Sequence, residues 1–405
     1  MKVLLAHNFY QQPGGEDLVF SDESRLLESH GHQTIRYTAH NEDVQGMSAL
    51  KLGGRTIWNE KVRSDVRQLI ARERPALVHV HNTLPLLSPA LYYGASAEGV
   101  PIVQTLHNYR LICPAGLCFR DGKVCTDCVG KSIAWPAVQH GCYRGSRPAS
   151  TAIGTMLFVH RLLRTWERKV TVYIALTEMS RQMFVDGGLP RHKITVKPNF
   201  VDPDPGRGSG AGGYALFVGR LSPEKGLQTL LEAWRLMRGE VPLFVAGDGP
   251  LAADVARAAE TVPGLTWLGR RDPSQIQSLL RDAMCLIFPS EWYETFGRVV
   301  IEAFAAATPV IAAGHGAAAE LVRHGETGLH FRPADPADLA AKVMLLSSDA
   351  ELQTSMRAAA RSEFETRYTS EINYQLLMAI YDQALVSHRQ EGMNTRARRA
   401  AQVRE

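Results

Sequence analysis

CLIFPSEWYETFGRVVIEAFAAATPVIAA, residues 285–313, contains two short apolar runs separated by a helix-length segment. Runs of this kind, joined through a helix, are typical of parallel strands buried on both faces of a sheet. The same rhythm occurs in the runs KVLLAHN, ALVHVH, PIVQTLHN and VYIALT before residue 201, and YALFVGR, PLFVAGDG and LTWLG after residue 213. The sequence therefore predicts an α/β fold made of two doubly wound units in series.

The length and the linker composition predict where these units begin and end. A chain of 405 residues exceeds the size at which one core usually stops growing. We predict a first domain at 1–201, a Pro/Gly/Ser-rich linker at 202–213 (DPDPGRGSGAGG) and a second domain at 214–370. An amphipathic helix is predicted at 371–388, followed by a basic disordered tail at 389–405.

Charge and hydropathy indicate the class of partner and the cellular compartment. Residues 1–200 carry 24 Lys and Arg against 16 Asp and Glu, whereas residues 201–405 carry 21 against 25. A basic first half indicates an anionic partner or surface there, and no nucleic-acid partner is expected. Apolar runs stay well short of the roughly 18 residues that a membrane span requires, and MKVLLAHNFY is too short and too soon polar for a signal peptide. We therefore expect a cytoplasmic protein with reduced cysteines.

Two cations follow the first strand of the second unit. VGRLSPEKG, residues 218–226, places Arg220 and Lys225 beside glycines. Ligands of open α/β sheets bind outside the carboxyl ends of the strands, and a guanidinium with an ammonium suits a diphosphate. Surface ion pairs would explain the same residues.

Glycines follow the next two strands of that unit. AGDGP contains Gly247 and Asp248, and WLGRRD contains Leu268 and Gly269. Their flexible backbone would suit a flat nucleobase held by main-chain groups. Tight turns would explain them equally well.

The first unit has its own strand-end candidates. PGGED places Gly14 and Gly15 after the first strand and before a helix, where the backbone could approach a phosphate or sugar closely. The third glycine of the dinucleotide fingerprint is missing, which argues against a nicotinamide enzyme. LHNYR ends a later strand with His107, which could donate to a substrate hydroxyl or phosphate; a structural histidine is the alternative.

Glu294 and Glu302 flank the start of the helix in the opening stretch. With Glu294 in the preceding loop, Thr295 near the cap and Glu302 about two turns inside, the two acids would border a helix N-terminus that attracts anions. An ordinary amphipathic helix would have the same spacing.

Taken together, GGE, TLHNYR, GRLSPEKG, GDGP and EWYETFGRVVIEAFA resemble the retaining glycosyltransferases of the GT-B architecture, specifically glycosyltransferase family 4. The resemblance runs from Met1 to about residue 385. It implies two Rossmann-like domains facing a cleft, with the acceptor bound mainly by the first domain and the C-terminal helix crossing back to that domain.

The resemblance also implies a role for each motif. Arg220 and Lys225 would bind the diphosphate, Glu302 the ribose hydroxyls, and Glu294 the donor sugar, with His107 beside the reacting centre. No divalent cofactor would be required. The catalytic set would be His107, Arg220, Lys225 and Glu294. The donor-binding set would be Gly14, Gly15, Gly219, Arg220, Lys225, Gly247, Asp248, Leu268, Gly269, Glu294, Thr295, Phe296, Gly297 and Glu302.

The implied activity is that of a retaining hexosyltransferase. It would move a sugar from a nucleotide sugar to a glycan or lipid-linked acceptor, and the CPAGLCFRDGK region resembles transferases of exopolysaccharide or capsule assembly. A catalytically silent nucleotide-binding scaffold of the same fold and a hydrolysing nucleotide-sugar epimerase are the alternatives. The intact Arg220, Lys225, Glu294 and Glu302 argue against both.

Two further segments of the first half suggest a structural metal site and a membrane-binding surface. CPAGLCFRDGKVCTDC and the cysteine that follows it predict a structural zinc at Cys113, Cys125, Cys128 and Cys142, with free buried thiols as the alternative. RGSRPASTAIGTMLFVHRLLRTWERKV, from Arg144, predicts a basic amphipathic helix. Such a helix could bind the anionic inner face of the cytoplasmic membrane, or it could simply pack on the core.

Overall fold

A computed structural model describes the backbone of residues 1–11 and 14–402 and the side chains of residues 1–11 and 14–393. Pro13 of the PGGED motif and residues 403–405 of the predicted tail lie outside the described residues. The chain forms two compact units. The first comprises Met1–Gly116, Thr126–Lys197 and the chain from Tyr374 onward, and the second comprises Leu117–Cys125 and Pro198–Asn373.

The first unit is built on a six-stranded parallel sheet in the order β2-β1-β3-β4-β7-β8. The central strands are buried along their whole length, as their continuous apolar sequences predict. Its strands are β1 Lys2–Phe9, β2 Gln33–His40, β3 Leu77–Val80, β4 Ile102–Thr105, β7 Val172–Ala175 and β8 Ile194–Val196. Its helices are α1 Gly15–Ser29, α2 Ala49–Ile57, α3 Glu60–Glu73, α4 Ala90–Ala97, α5 Trp135–His140, α6 Arg147–Leu162, α7 Thr165–Arg168 and α8 Glu178–Asp186.

The second unit contains another six-stranded parallel sheet, in the order β11-β10-β9-β12-β13-β14. Counted within the unit this order is 3-2-1-4-5-6, that of the Rossmann fold. Its strands are β9 Ala215–Val218, β10 Leu243–Ala246, β11 Leu265–Gly269, β12 Cys285–Phe288, β13 Val310–Ala313 and β14 Gly328–Phe331. Its helices are α9 Leu227–Met237, α10 Ala252–Thr261, α11 Pro273–Asp282, α12 Arg298–Ala305, α13 Gly316–Leu321, α14 Pro336–Ser348 and α15 Ala350–Arg367. The predicted pair of doubly wound parallel units is confirmed.

Short elements complete the chain. A two-stranded antiparallel hairpin is formed by β5 Phe119–Arg120 and β6 Lys123–Val124. The 3-10 helices are Asn41–Val44, Tyr109–Leu111, Arg191–Lys193 and Pro223–Lys225.

The segment predicted as a linker, residues 202–213, is irregular in structure but is held along the second unit. The amides of Gly208 and Gly210 donate to backbone carbonyls of Ala306 and Arg281. The Arg361 guanidinium donates to both carboxylate oxygens of Asp204, at 2.7 and 2.6 Å. Glycine allows this approach because a β-carbon on Gly208 would lie 2.0 Å from the carbonyl oxygen of Arg281.

The last helix, α16, runs from Ser370 to Gln402 and is longer than predicted. Leu377, Ile380 and Tyr381 on this helix are buried in the core of the first unit together with residues of the first sheet. The helix continues through much of the segment predicted as a disordered tail. Alanine and arginine are strong helix formers, and they dominate the stretch TRARRAAQ.

Candidate active site

One polar cluster of the second unit lies where its strand order reverses. Strands β9 and β12 are neighbours in the sheet but not in sequence, which makes their carboxyl ends the topological switch point. The loop after β9 carries Lys225, and the loop after β12 carries Glu294. Lys225 Nζ lies 2.5 Å from Glu294 Oε1, and Ser290 Oγ donates to the same carboxylate oxygen at 2.8 Å.

The surroundings of this ion pair strengthen it. Glu294 is 6% exposed, so little water competes for its carboxylate. The Lys225 ammonium also lies 5.5 Å from the centroid of the Trp292 ring, within cation–π range. The site therefore holds one cation and one anion in fixed positions at the carboxyl edge of the sheet.

Two glycines let the backbone fold tightly around the pair. Gly226 has φ +69°, and a β-carbon there would lie 2.0 Å from the carbonyl oxygen of Pro289. Gly297 has φ +101°, and a β-carbon there would lie 2.9 Å from the Phe288 ring. Both positions thus require glycine, for conformation and for space.

The two acids of the opening stretch lie on either side of the helix start. Glu294 lies in the loop, and Glu302 lies inside α12, where it accepts from Arg298 Nε at 2.8 Å. The cap residue is Gly297, two residues after Thr295. The chain enters the helix through a left-handed residue, which threonine adopts only at a cost. The ion partner Arg298 was missed, although its i, i+4 spacing to Glu302 was readable.

The other predicted donor-binding residues of this unit line the same sheet edge. Arg220 is exposed and follows β9. Gly219 N donates to Ala246 O at 3.1 Å, and Gly247 N donates to Gly269 O at 2.9 Å. These bonds connect the loops after β9, β10 and β11, and bring Asp248 and Leu268 to the same edge. Thr295 and Phe296 are buried beside Glu294.

In the first unit, Gly14 and Gly15 lie at the start of α1. Gly14 is the cap residue, and its amide donates to Asp17 Oδ2 at 2.7 Å. Glu16 Oε2 accepts from Asn108 Nδ2 at 3.0 Å, which ties the first turn of α1 to the loop after β4. Burial raises the pKa of Glu16 above its ordinary value. The predicted glycine loop thus reaches the loop that carries the LHNYR motif.

His107 follows β4 and is half-buried. Its Nε2 lies 3.0 Å from Nδ1 of His81, which follows β3. Burial lowers the pKa of His107 well below its ordinary value, so the imidazole is neutral near pH 7. A small pocket at this edge is lined by His81, Thr105, His107 and Arg110, among others. His81 ends a strand but was not among the predicted site residues, although alternating histidines in the run ALVHVH place two imidazoles on one face of a strand.

The predicted site residues thus form two groups, one within each unit. Each group lies at the carboxyl edge of its own parallel sheet. The catalytic set implied by the sequence divides into His107 in the first unit and Arg220, Lys225 and Glu294 in the second.

Three cysteines of the predicted zinc site, Cys125, Cys128 and Cys142, lie in two small structures, whereas Cys113 follows the 3-10 helix Tyr109–Leu111. Cys128 and Cys142 pack around Ala134 and Ala137 in one apolar cluster. The amide of Cys125 donates to the carbonyl of Cys118 at 2.8 Å, so these two residues face each other at the base of the β5–β6 hairpin. Cys118 is therefore a further thiol at this loop, and its C-x6-C spacing to Cys125 was the readable signal.

The basic segment from Arg144 is not one helix. It forms α6 and α7, separated by Arg164 in the left-handed region with φ +53°. Met156 and Leu157 are buried in the core, whereas Leu162 and Leu163 are exposed at the end of α6. The same segment therefore has apolar side chains packed in the core and an exposed apolar edge.

Two family profiles match adjacent parts of the chain. Residues 14–205 match the profile described as Glycosyltransferase Family 4. Residues 209–363 match the profile described as Glycosyl transferases group 1.

Relatives and solved structures agree with these profiles. A glycogen synthase of Mycobacterium tuberculosis is 28% identical over 319 residues, which are 75% of this chain and 66% of that protein. A phosphatidyl-myo-inositol mannosyltransferase of Mycobacterium leprae is 30% identical over 58% of this chain and 64% of its own length. The chain thus spans just under two thirds of the length of either relative. HepE of Anabaena, solved with UDP, shares the fold with a TM-score of 0.67 at 19% identity, over 94% of this chain and 100% of that chain.

Proposed function

We infer the function from one premise: the chain belongs to the GT-B glycosyltransferases of the family 4 and group 1 type. We propose that it transfers a hexose from a nucleotide sugar to a glycan or lipid-linked acceptor, with retention of the anomeric configuration. Surface polysaccharide assembly is the pathway we propose. The proposal rests on the residues of the two sheet edges and on the similarity to known transferases.

The observation that carries the proposal is the Lys225–Glu294 pair at the switch point of the second sheet. In the proposed reaction the bond between the anomeric carbon and the diphosphate breaks, and the acceptor oxygen forms the new bond. The acceptor's proton passes to the departing phosphate. Lys225 and Arg220 stabilise the negative charge that develops on the leaving group, and the Glu294 carboxylate accepts hydrogen bonds from sugar hydroxyls.

A uridine nucleotide sugar is the first donor to test. HepE of Anabaena has been solved with UDP-glucose, and its fold matches this chain with a TM-score of 0.66. We propose the same class of donor here. We also propose that no divalent ion takes part in the transfer step, so added Mg²⁺ or Mn²⁺ should leave turnover unchanged.

The decisive experiment compares Lys225→Ala with Lys342→Ala. Both lysines are partly exposed, 22% and 27%, and both lie near a carboxylate, but only Lys225 lies at the switch point. Removing a cation that acts on the leaving group should lower kcat by about 100-fold. Lys342→Ala should retain turnover. The assay measures UDP release and product formation with a panel of nucleotide sugars.

Three results of that experiment would contradict the proposal. Unchanged turnover in Lys225→Ala would refute the role of the cation. Tight nucleotide binding without turnover of any donor by the unsubstituted protein would favour a silent scaffold. A β-linked product from an α-linked donor would refute retention.

We further propose that the first unit binds an anionic membrane surface, where a lipid-linked acceptor would be found. No helix among the described residues is long and apolar enough to cross a bilayer. The end of α6 instead exposes apolar side chains beside cations. Leu162 and Trp135 are 72% and 63% exposed, and the Arg161 guanidinium donates to the carbonyl of Lys131, which brings the segment before α5 to the end of α6.

A structural zinc remains part of the proposal. Thiolates are the preferred ligands of structural zinc, and five cysteines lie within residues 113–142. Cys125, Cys128 and Cys142 would supply three of the four ligands. Cys113 is the fourth ligand predicted from the sequence, and Cys118 is its competitor because of its place at the base of the hairpin.

A further inference from the structure

The loop that carries Glu294 is hydrogen-bonded to the loop after the next strand of the sheet. His315 follows β13, which is a neighbour of β12. Its imidazole Nε2 lies 2.8 Å from the carbonyl oxygen of Ser290. A carbonyl oxygen only accepts, so Nε2 carries a proton and donates it, whether the ring is neutral or charged. His315 was not among the site residues predicted from the sequence.

Ser290 connects this bond to the carboxylate that we propose binds the donor sugar. The Ser290 hydroxyl donates to Glu294 Oε1 at 2.8 Å, the same oxygen that accepts from Lys225. Ser290 is 2% exposed, so its polar groups depend on protein partners. The hydroxyl has a single proton, and donating it to Glu294 fixes the rotation of the serine side chain. His315, Ser290 and Glu294 thus form one continuous series of hydrogen bonds.

The other side of the same loop is held by Glu291. Its amide donates to the carbonyl of Glu224 at 2.9 Å, and its Oε1 accepts from Thr229 Oγ1 at 2.6 Å. Both partners lie in the chain that follows β9, whereas His315 lies in the chain that follows β13. Because β12 lies between β9 and β13 in the sheet, the loop after β12 is attached to both of its neighbours.

The His315 bond controls the orientation of Glu294 and not its charge. Without it, the buried carbonyl of Ser290 would lose its partner, which is costly enough to reorient the Ser290 backbone. The hydroxyl of Ser290 would then move away from Glu294. The carboxylate would still pair with Lys225, but it would no longer be held from two directions.

We propose that His315 is a positioning residue for Glu294. Through the carbonyl and the hydroxyl of Ser290, it fixes the carboxylate that accepts hydrogen bonds from the sugar. This assignment rests on the proposed sugar-transfer function, and it deepens that function by extending the donor site to the loop after β13. Small displacements of a group that orients the substrate lower the rate strongly. The effect of losing His315 should therefore appear mainly in kcat.

The first test measures the hydrogen bond and needs no substrate. Long-range ¹H–¹⁵N spectra of protein labelled with ¹⁵N-histidine distinguish protonated from bare ring nitrogens, and the spectrum of His315→Gln assigns the signal. In the neutral ring of His315, the single proton should be on Nε2. A neutral ring with its proton on Nδ1 cannot donate to Ser290 and would overturn the proposal, whatever the activity of the enzyme.

The second test compares two substitutions of His315 that differ in one hydrogen bond. Glutamine can place an amide N–H near the position of Nε2, whereas methionine has no donor. His315→Met should lower kcat about tenfold or more with a smaller change in the donor KM. His315→Gln should retain most of the turnover. Equal losses in the two variants, or full turnover in His315→Met, would overturn the positioning role.

The matched control is His330→Met. His330 is also partly buried, and its Nε2 donates to a backbone carbonyl, that of Val322, at 2.7 Å. His315 directly precedes α13 and Val322 directly follows it, so the two histidines hold the two ends of one helix. His330→Met should lose a comparable amount of stability but retain turnover. An equal loss of turnover would mean that anchoring α13 is sufficient, and the positioning role would be overturned.

A double variant tests the route through Ser290. Ser290→Ala removes the hydroxyl and keeps the carbonyl, so it should lower kcat to a similar extent. Adding His315→Met to it should cause little further loss, because residues in one hydrogen-bond series do not act additively. A full second loss would overturn the route. If the unsubstituted protein turned over no nucleotide sugar, the proposed function would fail, while the spectra would still decide whether His315 donates to Ser290.

Discussion

Gly226 shows how one residue without a side chain positions a charged one. It follows Lys225 directly, has φ +69°, and lies so close to Pro289 that a β-carbon would be 2.0 Å from the carbonyl oxygen. Gly226→Ala should therefore displace the Lys225 loop. We expect turnover to be lost and the free energy of unfolding to fall by about 3 kcal/mol or more, because steric overlap adds to the cost of the left-handed conformation.

The variant Gly31→Ala measures the cost of the left-handed conformation without the steric overlap. Gly31 also has a positive φ, +76°, but no atom lies within 4 Å of the position of its β-carbon. This variant should lose roughly 1–2 kcal/mol, the conformational cost alone, and retain turnover. Urea unfolding and the donor assay measure both variants. Equal losses of stability in the two would show that the contact with Pro289 does not matter.

For single residues, residue type and strand end were enough to select candidates, whose roles stay predictions. Lys225 and Glu294 were predicted because each follows a parallel strand, and their pairing follows from the adjacency of β9 and β12. Glu23 and Lys197 were not predicted. They are separated by 174 positions in the chain, and neither residue type nor local spacing indicates that a buried lysine will meet a buried glutamate.

Among the strands of the two six-stranded sheets, those that the sequence missed lie at sheet edges. β2 and β8 are the two edges of the first sheet, and β14 is an edge of the second. β2 has no buried residue and alternates between exposed and partly exposed positions. An edge strand has a neighbour on one side only, so its sequence lacks the continuous apolar run that identifies a central strand.

The prediction of membrane binding concerns the exposed apolar side chains near the end of α6. Leu162→Ser combined with Trp135→Ser removes two exposed apolar side chains and leaves the neighbouring arginines in place. We expect the unsubstituted protein to sediment with vesicles that contain anionic phospholipid and the variant to bind at least about tenfold more weakly, since interfacial binding scales with buried apolar area. Vesicle sedimentation over a range of lipid concentrations measures the difference.

A matched exposed leucine serves as the control for that experiment. Leu236 lies on α9 in the second unit and is 59% exposed. Leu236→Ser should leave vesicle binding unchanged. Equal binding of the unsubstituted protein to neutral vesicles would argue against an electrostatic contribution from the cations near α6.

The five cysteines within residues 113–142 lead to a prediction about metal content. Metal analysis of the purified protein should give about one equivalent of zinc, and Cys128→Ser should lose it because a structural site needs all four ligands. Cys285→Ser should keep the metal, since Cys285 is buried in the core of the second unit. Comparing Cys113→Ser with Cys118→Ser identifies the fourth ligand. Less than about a tenth of an equivalent in the unsubstituted protein would refute the site.

At the scale of the whole molecule, both sheets share one topological feature, a reversal of strand order. In each unit the strand order reverses next to the first strand, so the loops after β1 and β3, and after β9 and β12, converge at the carboxyl edge. The sequence predicted two doubly wound units because central strands are readable from composition. Strand order is decided by non-local packing, which composition does not indicate.

The buried histidines of the first unit make the stability of the whole molecule depend on pH. Burial lowers the pKa of His79 from 6.5 to about 4, and it also lowers the pKa values of His81 and His107. His79 is surrounded by Tyr381, Thr105 and the Glu23–Lys197 pair, and burial outweighs the favourable effect of the carboxylate on the charged ring.

Protons therefore bind the unfolded chain more readily than the folded one between about pH 6.5 and pH 4, so the free energy of unfolding should fall as the pH falls through that range. Urea unfolding between about pH 8 and pH 4.5 measures the slope. His79→Gln removes one of the titrating groups and should make the slope shallower, although it lowers stability at neutral pH. A slope that is the same with and without His79 would mean that this imidazole takes up its proton in the folded state as easily as in the unfolded one.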